Sequence, residues 1–250
     1  MIVDVHSHIG WDEIFHYDFR EEHLLGAQRG HGVAVTIVQP ALVVSLEAAR
    51  VLHDRVARLA AAHPGRFYGM ANPNPHTPEA DYRREVERCI TELGFVGIKI
   101  HTMAHALPPD SPAGRRAFDA ARDLGVPVMI HTGAGIPWAN PALVAPAAAR
   151  YPDVKIVLAH SGMHVLTAEA IEVARAHGNV YLETSWTPGF LIRAWVGELG
   201  AGRVLWGSDH ALDNTACEIV KVRTCGLTPG EQGWVLGHTA LRVYDRIRTG

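Results

Sequence analysis

Cysteine is scarce. The chain has three, Cys89, Cys217 and Cys225, irregularly spaced and without a CxxC pair. Such usage argues against a disulfide scaffold or a cysteine zinc site and fits a reducing, cytoplasmic setting. Long apolar runs are missing as well: no stretch of 18 apolar residues occurs, so no transmembrane helix is expected. The apolar start is interrupted by Asp4, His6 and His8 and lacks a basic n-region, so it does not read as a signal peptide. Nor is there an excess of charge of either sign. With 23 basic and 26 acidic residues, a net charge of -3 and no Lys/Arg cluster, nothing electrostatic favours nucleic acid or an anionic membrane as a partner. Linkers, low-complexity tracts and charge runs are absent, so no second domain is marked and a small molecule is the expected partner.

What is present is a large core's worth of apolar residues, 48% of 250, and an excess of histidine, 16 in all. Eight short β-branched runs end in Gly, Pro, Asn, His or another polar residue: Ile2–His8, Val33–Gln39, Arg66–Asn72, Phe95–His101, Val126–His131, Val154–His160, Asn179–Thr184 and Arg203–Asp209. Their starts lie roughly 24 to 33 residues apart, the size of a βαβ repeat. Between them fall helical patterns, among them Ser45–Ala62, Thr77–Leu93 and Pro112–Leu124, with Thr77 as an N-cap ahead of Pro78. Eight strand-helix units predict an α/β fold, a (β/α)8 TIM barrel spanning 1–250 as one domain, with a doubly wound open sheet as the rival. The loop-like stretch Thr102–Gly114 is then expected over the catalytic face.

In such a barrel the carboxyl ends of the strands gather at one mouth. Here those ends carry His6 and His8 (first run), Lys99 and His101 (fourth), His131 (fifth), His160 (sixth) and Asp209 (eighth). A single strand-end histidine is more often structural than a ligand. Several together are hard to explain by packing, because grouping buried basic side chains without a partner is costly, and a divalent cation is such a partner. Imidazoles with one carboxylate and no thiolate suit zinc first, with manganese, iron, nickel or cobalt compatible. Three histidines and an aspartate leave a coordination position open for water.

The ordered set DVHSH, GIKIH, VMIHTG, VLAHSG and GSD resembles the amidohydrolase superfamily across essentially the whole chain. Within it the sequence is similar to the amidohydrolase-2 branch of small TIM-barrel metal-dependent hydrolases related to aminocarboxymuconate-semialdehyde decarboxylase. The resemblance implies His6, His8, His131 and Asp209 as metal ligands, joined by Lys99 and His160 if two metals bind. Lys99 would be a bridging carbamate in two-metal members and a substrate-facing cation in one-metal members; a salt-bridged interior lysine is the plain alternative. Asp209 and His160 are the implied catalytic residues, with Lys99 and His101 at the substrate. The implied reaction is hydrolysis of an amide, lactone or ester by metal-activated water, Asp209 taking and returning the proton and His160 stabilising the oxyanion. Family members often form homodimers.

A non-oxidative decarboxylase is the alternative. It calls for a cation near the departing carboxylate, from Arg20, Arg29 or Lys99. Two features weigh against it: the chain is short for that branch, and the first run has His-x-His where several decarboxylases have Glu-x-His. A metal-binding module without catalysis is a third reading. His105, His164, His210, Trp11, Trp138 and Trp186 follow strand ends as lesser candidates for the mouth. Glu183 is expected in a structural ion pair, with Lys99 a possible partner, and Asp4 on the floor beneath His6. In the closing helix pattern Val235–Tyr244, His238-Thr239 stands where Gly-Asn is expected.

Overall fold

Alternation of β-branched runs with amphipathic helices resolves, in a computed structural model describing residues 1–133 and 135–248, into a curled sheet wrapped by helices. Its strands are β1 (Ile2–Asp12), β2 (Tyr17–Phe19), β3 (Val33–Pro40), β4 (Phe67–Ala71), β5 (Gly97–Ile100), β6 (Val128–His131), β7 (Ile156–Ala159), β8 (Val180–Glu183) and β9 (Val204–Leu205). From β1 through β3 to β9 the order is sequential and every pairing is parallel. The barrel closes where β1 meets the segment after β9: Val5 N donates to Trp206 O (3.3 Å) and His8 N to His210 O (2.7 Å). This is the (β/α)8 barrel, not the open sheet.

The eight β-branched runs become the eight barrel strands. The unexpected strand is β2, which pairs antiparallel with the far end of β1. It has three residues and lacks the Asn-Gly or Asp-Gly turn that signals a hairpin. The stretch Thr102–Gly114 is also less loop-like than expected, because it holds a one-turn helix, Thr102–His105, capped by the His101 side chain. At Thr77 the cap fails. The helix runs Glu79–Thr91 with Pro78 as its N-cap, and Thr77 O is taken by the Arg116 guanidinium at 2.8 Å. Pro112–Leu124 forms as expected, between the Ser111 side-chain cap and the left-handed Gly125.

Strand parity builds two apolar layers. Ile98, Ile130, Leu158, Leu182 and Val204 point outward to the helices, while Met129, Val157, Tyr181 and Leu205 point into the barrel with Val3, Val5 and Tyr244. The inward positions one step nearer the mouth are polar: Lys99, His131 and Glu183. In β1 the ladder slips between Asp4 and Ser7. That bulge lets Val5 fill the interior while His6 and His8 also face inward above it. Asp4 is bonded to the His6 backbone and ties it to the seam, accepting His6 N (3.1 Å), Ser7 Oγ (2.8 Å) and Ser208 N and Oγ (2.9 and 2.6 Å). Among the described residues no helix is long and apolar enough to cross a membrane.

Candidate metal centre

His6, His8 and Asp209 meet at the mouth of the barrel. His8 Nε2 lies 3.3 Å from His6 Nε2 and 3.2 Å from Asp209 Oδ1, and His6 Nε2 lies 3.4 Å from the same oxygen. All three side chains are buried. Asp209 reaches this point in a left-handed backbone conformation (φ 49°), directly after the Ser208 that Asp4 pins to β1.

The triangle fits a metal ion. Donors ~2.0–2.2 Å from one ion, at angles between a right angle and tetrahedral, stand roughly 2.9–3.5 Å apart. Asp209 Oδ1 and His8 Nδ1 are buried without an aligned hydrogen bond among the described residues, so Oδ1 keeps its lone pairs free beside the two imidazoles. Burial, reinforced by the nearby Lys99 charge, pushes His6 below its usual range, which favours the neutral imidazole that a metal needs. Burial opposes ionisation of Asp209, yet attraction to the surrounding histidines holds it well below the usual carboxylate range.

The end of β8 holds this arrangement. Glu183 Oε2 lies 3.3 Å from His6 Nδ1 and accepts His160 N (2.9 Å) and Ser185 Oγ (2.7 Å), while Oε1 accepts Ser185 N (2.6 Å). Ser185 Oγ in turn lies 2.7 Å from His160 Nδ1. Trp186 donates its indole N–H to Asp209 Oδ2 (2.7 Å). Glu183, expected in an ion pair, thus serves His6 and His160. Ser185 is not among the residues singled out from the sequence, and Trp186 is there only as a lesser candidate for the mouth; the signal available was the polar run Glu-Thr-Ser-Trp at a strand's inward end.

Above the triangle opens a cavity of about 290 Å³ whose apolar wall is Phe15, Met103, Ile136, Met163, Trp186 and Leu212. His101, His131 and His160 complete it. His101 stacks on His131 at 4.2 Å, and His131 Nδ1 lies 3.2 Å from His160 Nε2. His131 therefore stands beside the triangle, not in the mutually close donor set of His6, His8 and Asp209. Lys99 lies beneath the cavity, its Nζ 2.9 Å from His6 Nε2, and burial lowers its pKa to about 8.

The remaining candidates scatter. Arg20 is exposed and paired with Glu22, Arg29 is exposed on the helix Glu21–His31, and neither lines the cavity. His105 is buried and accepts His101 N; His210 sits against Thr215; His164, Trp11 and Trp138 lie outside the lining. Besides the group of His6, His160 and Glu183 at the mouth, a close group away from it, His53, Glu85 and Cys89, is spoken for by the protein. Glu85 carries His53, Arg50 and Arg88, and His53 Nε2 accepts Asn72 N.

The family model for amidohydrolases matches residues 3–246. A 2-amino-3-carboxymuconate-6-semialdehyde decarboxylase from Dictyostelium discoideum is 32% identical over 94 residues, 38% of this chain and 24% of that protein. A gamma-resorcylate decarboxylase from Polaromonas sp. strain JS666 is 28% identical over 220 residues, with 67% of each chain covered. Among solved structures, 5-carboxyvanillate decarboxylase from Sphingomonas paucimobilis superposes with a TM-score of 0.79 at 20% identity over 99% of both chains. A dihydroxybenzoic acid decarboxylase from Polaromonas sp. JS666, with bound manganese and 2-nitroresorcinol, gives 0.78 at 19% identity, covering 99% of this chain and 97% of that one.

These relatives overturn the hydrolase reading, because both curated proteins that align are decarboxylases. The physical reason is that imidazole and carboxylate donors around a Lewis acid serve either reaction, so the donor set cannot tell attack on a carbonyl from loss of a carboxyl group. Chain length and His-x-His, which weighed against decarboxylation, describe the scaffold and one pair of donors and leave the reaction undecided.

Proposed function

We propose, from the premise that this chain belongs to the amidohydrolase family, that it is a metal-dependent, non-oxidative decarboxylase of a compact acid with an apolar, aromatic body. The observation that carries the reading is the cavity: about 290 Å³, apolar on its walls, with buried metal donors at its base. That volume suits a single substituted ring, as in the benzoate-type acids named for the relatives. No arginine or lysine lines the cavity among the described residues, which favours a substrate with one carboxylate.

His6, His8 and Asp209 would hold one divalent ion, manganese or zinc, with His131 as a further donor. When bound, the ion supplies a Lewis acid that holds the substrate's anionic oxygens and withdraws charge from the ring. The protein's groups do the rest. Apolar walls exclude water and favour a step in which a localised carboxylate charge becomes neutral CO2. As the carbon–carbon bond breaks, its electron pair stays on the ring carbon, which then takes a proton. His160 lines the cavity and is placed to relay that proton from solvent water: burial keeps its pKa well below the usual histidine value, so the ring is neutral at rest and passes on a proton that it does not store. Asp209 has Oδ2 held by Trp186 and Oδ1 turned to the histidines, an orientation suited to a ligand.

A panel of mono- and dihydroxybenzoates incubated with manganese- or zinc-loaded protein tests the reading. Release of CO2 with formation of the matching phenol, abolished by chelation, is expected; loaded protein that releases none from any of these acids would overturn it.

A further inference from the structure

We propose that Gln39 is a positioning residue of the metal centre: its carboxamide spans the gap that the β1 bulge opens and holds both peptide groups of His6, so that the imidazole stays aimed at His8 and Asp209. The gap is one of register. β1 advances from Asp4 to Ser7 while β3 advances only from Thr36 to Val38, and Val5 and His6 have no partner in the β3 register. A bulge of this kind interrupts the ladder and leaves peptide groups for something else to hold. Here a side chain does so.

Gln39 stands on the inward face of β3, two residues on from Ile37, and is fully buried. Its Oε1 accepts Ser7 N at 3.1 Å and its Nε2 donates to Val5 O at 3.0 Å. Both partners are backbone groups of fixed role. An N–H can only donate and a carbonyl can only accept, so they decide which end of the carboxamide carries the oxygen. One bond lands on the peptide before His6 and the other on the peptide after it. The second N–H of Nε2 is left for Met70 Sδ, 3.2 Å away. With the Asp4 carboxylate, which accepts His6 N at 3.1 Å, Gln39 holds three of the four polar atoms of these two peptides. An apolar side chain would suit a space walled by Met70 and Met129. A buried amide there costs desolvation that its hydrogen bonds offset, and its two backbone bonds flank a metal donor. Gln39 does not line the cavity, so it acts on the site through the strand that it holds.

The inference rests on the metal site of the proposed function and is tested with metal alone. Gln39→Met keeps the length and flexibility of the side chain and deletes the carboxamide. Titration of the metal-free variant with zinc, once circular dichroism shows it folded, should give an affinity lowered by roughly tenfold to a hundredfold. Met70→Leu alters the same interior layer without touching the bonds to β1, and it should bind zinc as the wild type does. Wild-type affinity in Gln39→Met would overturn the inference, and so would an equal loss in Met70→Leu, which would assign the effect to packing. A third measurement needs no variant. Gln39 is one of three glutamines, and Gln28 is as buried but has no hydrogen-bond partner for its carboxamide among the described residues. In the wild type the Nε2 protons of Gln39 should exchange with solvent roughly tenfold more slowly than those of Gln28, or slower still; equal rates would overturn the inference. Wild-type protein that binds neither zinc nor manganese would remove the metal centre and this inference with it. Protein that binds zinc but releases no CO2 would remove only the decarboxylase reading.

Discussion

Trp186 grips Asp209. Its indole N–H donates to Oδ2 over 2.7 Å while the same ring walls the cavity, so one side chain orients a metal donor and shapes the space above it. The backbone of Trp186 is left-handed (φ 60°) and its N–H reaches Glu218 Oε1 at 3.3 Å, which anchors the turn from below. Trp186→Phe keeps an aromatic wall and deletes the grip. The variant should retain its fold and lose metal affinity and kcat/KM by roughly tenfold to a hundredfold. Metal titration and steady-state kinetics of the pair decide this, and unchanged metal affinity would refute the orienting role.

Removal of the ion should abolish turnover reversibly. Dialysis against a chelator is expected to yield an inactive protein that regains CO2 release on addition of manganese or zinc, with a ratio near one metal per chain by elemental analysis. His6→Ala should lower that ratio and stop rescue, because it deletes one corner of the donor triangle.

The metal-free protein should lose stability as the solution is acidified from neutrality. Burial first, then the charges of His76 and Lys99, lowers His105 to about 3, against ~6.5 in an unfolded chain. The folded pKa is depressed, so the unfolded state binds more protons below ~6.5, and the neutral-His105 contribution is complete above that pH and shrinks as pH falls toward 3. Across that window His105→Gln should flatten the dependence by about 1.4 kcal/mol per pH unit, read from urea midpoints at pH 7, 6 and 5. Parallel wild-type and variant curves would count against this.

A second acid-sensitive element lies between helices. Glu85, buried under His53, Arg50 and Arg88, is held well below the usual carboxylate range because the bonds from His53 and Arg88 outweigh the burial that opposes ionisation. With a depressed folded pKa, its contribution is present above the unfolded value of ~4.3 and is lost as pH falls below it. Glu85→Gln should cost about 1–3 kcal/mol at pH 7, since it leaves buried donors poorly satisfied, and less at pH 3. Thermal unfolding at the two pH values measures the difference.

The barrel was legible because its strands are β-branched runs at near-regular intervals and because parity alone puts Lys99, His131 and Glu183 on inward faces. The donor types at the mouth were legible for the same reason. What holds them was not. His160, Ser161, Trp186 and Asp209 all have positive φ without being glycine, and such turns follow from the closed structure around them rather than from local propensity. The bulge that lets Val5 and His6 face the same way is hidden likewise, as are the short β2 strand and the helix inside Thr102–Gly114. Decarboxylation could not be separated from hydrolysis on donors alone, and what weighs between them is which relatives align.

The seam where Asp4 takes both donors of Ser208 joins positions 204 apart in the chain. During synthesis two of the three donors, His6 and His8, emerge almost at once, while Asp209 leaves the ribosome only after all nine strands have been made. An ion captured early would meet two imidazoles on an unpaired strand, a weak grip from which it can still escape. Firm capture waits for the last strand to zip against the first, so tight metal retention reports that the polypeptide has finished folding.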